Sequence, residues 1–201
     1  MHNFYTWFSI GVSHILNWEA YDHILFLFAL CCIYTFSQWK KVLMLVTAFT
    51  IGHSLTLALS VMHVFVVNTA WVEFLIAVTI VATCLYNIKI RKNIEAAEKS
   101  IVIRSSAYLM ACVFGFVHGL GFAGVLKDML SGSTILFPLF SFNVGIEVGQ
   151  LIVVVTLLLL TNMLITVFKI RQTRLVGVVS AMVASVALIV AIGRLTDIFR
   201  H

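Results

Sequence analysis

Three histidines, one aspartate and two glutamates stand inside stretches that otherwise carry almost no charge: Asp22, His23, His53, Glu73, His118 and Glu147. Imidazole nitrogens and carboxylate oxygens are intermediate-to-hard donors, and as a set they suit a divalent transition metal such as nickel, zinc, cobalt or manganese. Groups that could orient such ligands by hydrogen bonding lie nearby in sequence: Thr50 and Ser54 beside His53, Asn143 and Gln150 one turn either side of Glu147, and His14 in the N-terminal stretch. No pair has the compact H-E-x-x-H spacing of a site built on one helix, so the ligands have to converge from separate elements. The four cysteines, Cys31, Cys32, Cys84 and Cys112, fall in apolar runs. They read as small apolar fillers, with no disulfide framework implied.

The elements that position these groups follow from charge scarcity. Of 201 residues, 62% are hydrophobic and 10% are charged, against about 25% charged in a soluble domain. So little charge cannot coat a water-facing globule, and the chain reads as an integral membrane protein. One proline and long continuous apolar runs favour helices over the short alternating segments of a barrel. A span needs about 20 apolar residues. This places six in a single domain, 1–201: residues 21–38, 40–62, 69–89, 105–126, 136–168 and 174–196. Residues 3–18, rich in Trp and Phe, read as an interfacial helix. In the last span Gly177, Ala181 and Ser185 recur at four-residue steps, which predicts a packing face.

Ten of the thirteen Lys and Arg lie after spans one, three and five, in the groups Lys40–Lys41, Lys89–Arg104 and Lys169–Arg174. The positive-inside rule assigns these to the cytoplasmic face and both termini to the outside of an inner membrane. The basic residues thus mark topology, and no nucleic-acid partner is expected. No basic region precedes the first apolar stretch, so no cleaved signal is expected. His2, His63 and His201 fall at ends or loops and read as solvated.

Depth adds a second signal. At about 1.5 Å per residue, His53 lies about 18 Å from the cytoplasmic end of its span. The same count puts Asp22, His23, Glu73, His118 and Glu147 in the outer half as well. Five helices therefore bring titratable groups to one level, which predicts one polar cavity open to the outside. Small-xxx-small pairs at Gly115/Gly119 and Gly145/Gly149 let neighbouring backbones come close.

The stretches GVSHIL, YDHILFLFAL, TAFTIGHSLTLALS, VEFLIAVTIVATCLYN, FGFVHGLGFAG and FNVGIEVGQL, from about Gly11 to Leu151, resemble the HupE/UreJ family of membrane proteins. The resemblance implies a permease-like protein handling nickel or a related metal, with Asp22-His23 matching the family's acidic-His signature in the first span. Three readings stand. The first is a membrane transporter binding nickel or zinc at the His/Asp/Glu set. The second is an intramembrane zinc hydrolase acting on a lipid or membrane-embedded substrate, with three His on the metal and a carboxylate as general base. The third is a non-catalytic scaffold whose polar core only fixes packing.

Overall fold

A computed structural model describes residues 4–17, 21–62, 64, 68–94, 101–130 and 136–200. His2, His63 and His201, and most of the basic loop 89–104 beyond Ile94, lie outside the described residues or have no described side chain. Seven α-helices and no strand occur among the described residues: α1 Phe4–Leu16, α2 Tyr21–Cys31, α3 Trp39–Val61, α4 Thr69–Ile90, α5 Ile101–Leu130, α6 Leu136–Thr166 and α7 Gln172–Arg200. The all-α membrane class holds, because α3 to α7 each contain a stretch long and apolar enough to cross a membrane. Their peripheral faces carry residues such as Met44, Ile51, Leu85, Val113 and Ile189, exposed as lipid-facing positions should be.

The first expected span differs. Of residues 21–38 only Tyr21–Cys31 is α-helical, 11 residues, about 16 Å and short of a crossing. The helix stops because Thr35 adopts an extended backbone and opens a new start. Its N–H donates to Gln38 Oε1 at 3.0 Å, and a 3-10 turn over Phe36–Gln38 runs directly into α3. α1 stands lengthwise against α6: Phe4 meets Phe137, Gly11 lies against Phe142 and Ile146, and Gly149 lies against Ile15. α2 runs in the same sense, from Asp22 beside Glu73 to Ala29, whose carbonyl accepts from Asn87 at 2.6 Å. Laid end to end, α1 and α2 would amount to about 36 Å of helix.

Close backbone approach organises the rest. α3 and α5 run parallel, with Gly52 against Cys112 and Phe116, and Gly115 against Phe49. α4 and α7 are antiparallel, joined by Val72, Ile76, Ile80, Val183 and Ala187 in one cluster. The small-residue face of α7 differs from the expected one. Gly177 is buried as expected, but Ala181 and Ser185 are exposed, whereas Ser180, Ala187 and Ala191 are buried. Packing follows the 180/187/191 stripe because α4 and Cys32 meet α7 there.

Both ends of the described chain come to one end of the bundle. Phe4 is at the start of α6, and Arg194 reaches Glu73 near the start of α4 at 2.9 Å. At the other end the Gln172 amide donates to the Ile33 carbonyl at 2.9 Å, and the Arg91 side chain covers Gly177. The helix directions gather Lys40, Lys41, Lys89, Arg91, Lys169, Arg171 and Arg174 at that second end.

Candidate metal centre

Four histidines from four helices meet at one place. His14, near the end of α1, and His23, near the start of α2, flank the interruption, with ring centroids 4.8 Å apart. His53 comes from the middle of α3, 6.0 Å from His23 and 5.9 Å from His14. His118 on α5 lies 5.4 Å from His23. The α3–α5 glycine contacts bring the last two together, because Gly119, next to His118, sits against the His53 backbone. One nitrogen from each of His14, His23 and His53 lies within 4.8 Å of the others.

The hydrogen bonds of His23 and His118 engage one ring nitrogen and leave the other without a partner among the described residues. His23 Nδ1 is 3.0 Å from Asp22 Oδ1, and Asp22 is itself held by the His23 backbone N–H at 2.8 Å. His118 Nδ1 is 2.8 Å from the Phe114 carbonyl. Among the described residues the buried Nε2 atoms of His14, His23, His53 and His118 have no hydrogen-bond partner, nor has His53 Nδ1. A buried polar atom left without a partner costs about 1–3 kcal/mol. Three histidines with a nitrogen each within 4.8 Å of the others, and next to them a fourth ring with a partnerless Nε2, form the pattern expected where an ion supplies the missing interaction. Anchoring Nδ1 on a carboxylate or carbonyl fixes the tautomer and leaves Nε2 free to ligate. Four imidazoles with one neighbouring carboxylate suit borderline metals such as zinc, nickel or cobalt, and not the all-oxygen preference of magnesium or calcium.

The remaining residues singled out by sequence divide into two groups. Glu73 lines the same cavity of about 460 Å³ as His14, Asp22, His23 and His118, where it pairs with Arg194. Glu147 is not brought to the histidines. Thr47 donates to its Oε1 at 2.9 Å, and one turn on Thr50 donates to Gln150 Oε1 at 2.8 Å. The Asn143–Glu147–Gln150 stripe thus faces α3, while the Gly145/Gly149 face of α6 receives α1. Asn143 Oδ1 is buried with no partner among the described residues, and Ser54 is half-buried next to His53. His14, expected in a supporting role, stands inside the cluster. Asp22, expected as a ligand, touches His23 as its orienting partner.

That contact has a measurable consequence. Asp22→Asn keeps size and polarity but replaces the carboxylate that polarises and orients the His23 ring. Its effect is an expected drop in zinc or nickel affinity of about 10–100-fold, read by calorimetric titration, with the melting temperature of the metal-free protein little changed.

No curated protein and no solved structure matches the chain. A family model described as HupE / UreJ protein matches residues 1–194. With a match that runs through every helix contributing a histidine, the chain belongs to the HupE/UreJ family.

Proposed function

We propose that this protein is a multi-pass inner-membrane carrier of a divalent transition metal, nickel or zinc, taken up at His14, His23, His53 and His118 from an outward-facing cleft. The observation that carries the reading is the convergence of His14, His23 and His53, one ring nitrogen of each within 4.8 Å of the others, at the break between α1 and α2, with the partnerless Nε2 of His118 on a ring next to His23. Interrupted helices are a recurrent way for membrane carriers to build ion sites, because the exposed carbonyls of a half-helix end favour a cation. Here the end of α1 faces the cluster, and Asp22 offsets the positive start of α2. The cleft lies at the end of the bundle opposite the basic residues, so the positive-inside rule makes it the outer end and puts both termini outside.

The test is metal binding and flux in purified protein reconstituted into vesicles. Reversible zinc or nickel binding that is lost in His23→Ala and His118→Ala, together with saturable transfer into the vesicle, is the expected result. The cleft volume of about 460 Å³, much larger than an ion, favours a second reading in which a tightly held zinc activates water against a membrane-embedded substrate, with Asp22 as its carboxylate. Zinc that co-purifies, resists exchange and shows no flux would select that alternative.

A further inference from the structure

Beneath the histidines the bundle holds a layer of aromatic rings, and beneath that a second chamber. Phe26 on α2 and Phe49 on α3 are stacked at 4.8 Å, and each is 1% exposed. The His118 ring rests on both, 5.2 Å from Phe26 and 5.1 Å from Phe49. Phe114 closes the layer edge-on to Phe26 at 6.1 Å, and its own carbonyl holds His118 Nδ1. The chamber on the far side, between α2, α3, α4 and α5, has a volume of about 70 Å³. Phe26 and Phe114 form its roof, Thr83 and Asn87 lie on its wall, and it continues toward Lys41 at the basic end. The outer cleft and this chamber share no lining residue.

We propose that Phe26 is the barrier of an ion path: its ring separates the histidine cluster from the inner chamber, and its displacement opens the one to the other. The inference rests on the carrier reading above. Phe26 is suited to the role by position. It touches the ligand-bearing His118 on one side and lines the chamber on the other. It also belongs to α2, an 11-residue helix, which can shift without drawing a complete crossing helix with it. An aromatic layer of this kind excludes water, so an ion crosses only when polar groups replace its shell on both sides. The histidines stand on one side, and Thr83 with Asn87 on the other.

The experiment compares the wild-type chain with Phe26→Ala and Phe26→Leu in vesicles enclosing a zinc-sensitive dye, alongside zinc titration in detergent. Phe26→Leu keeps most of the apolar volume and covers the case in which Phe26→Ala fails to fold. With the barrier removed, zinc entry rises by about tenfold in Phe26→Ala, equivalent to about 1.4 kcal/mol off the barrier. It rises to a smaller extent in Phe26→Leu, and zinc binding at the histidines persists in both. Zinc entry at or below the wild-type rate in a folded, zinc-binding variant overturns the barrier role while leaving the carrier reading intact. A wild-type chain that binds zinc without any flux overturns both.

Discussion

His53→Leu abolishes metal-dependent stabilisation and leaves the metal-free protein as stable as the wild type or more so. The side chain is completely buried, and among the described residues neither ring nitrogen has a hydrogen-bond partner. In the empty protein His53 therefore bears the desolvation of two polar atoms with no return, at about 1–3 kcal/mol each. Leucine has a similar volume and no polar atom, so the exchange removes the penalty without opening a large cavity. In the loaded protein the sign reverses. A ligand that binds only the folded state adds RT ln(1 + [L]/Kd), about 2.7 kcal/mol at a hundredfold excess over Kd, and His53→Leu loses this. The measurement is thermal unfolding in detergent with chelator and with added zinc. A scaffold histidine predicts the opposite outcome, with lower stability in chelator and no response to zinc in either protein. The pair of melts thus separates a ligand from structural glue at a position where loss of activity alone would not.

The same residue shows what the sequence made legible. His23, His53 and His118 could be found by counting residues from the charged loops. A buried imidazole in an apolar run is rare, and depth follows from helical rise alone. Depth does not fix azimuth. The count puts Glu147 at the same level, but its partner is Thr47, six residues from His53 toward the basic end of α3, and α6 turns its glycine face to α1. Which side of a uniformly apolar helix meets which neighbour depends on the other helices, and the sequence of α6 is too evenly hydrophobic to signal it. α7 makes the same point, since its buried stripe runs through Gly177, Ser180 and Ala187 and leaves the more conspicuous Ala181 and Ser185 exposed.

His14 and the broken first span share one cause. Composition reads residues 21–38 as continuous because nothing between His23 and Gln38 is charged. Beyond the end of α2 at Cys31 the Thr35 N–H donates to the Gln38 side-chain oxygen, a local polar signal inside an apolar run. With α2 short, α1 lies beside α6 and brings His14 opposite His23. The positive charges, in contrast, were reliable guides, since the helix directions gather Lys41, Arg91 and Arg171 at one end as the loop count required.

Gly52→Leu is expected to remove the site by separating the two helices that carry it. A Cβ on Gly52 would run into the carbonyl of Cys112 and lie 2.9 Å from the backbone N of Phe116. These obstacles are main-chain atoms of α5, which cannot rotate aside as a side chain can, so the helices must part. Overpacking of this kind costs about 1–3 kcal/mol where side chains can adjust, and more where they cannot. The displacement falls one residue from His53, and it is transmitted to His118 through Gly115 and Gly119, which rest on the Phe49 and His53 backbones. The expected result is a melting temperature lowered by at least several degrees together with loss of zinc binding, and Gly52→Ala shows both to a lesser extent. Gly124→Ala is the control on the same α5 helix. Nothing stands within 4 Å of its added methyl group, and alanine favours helix by about 1 kcal/mol over glycine, so folding and zinc binding should both persist. Equal behaviour of Gly52→Ala and Gly124→Ala would mean that backbone contact between α3 and α5 does not hold the histidines in place.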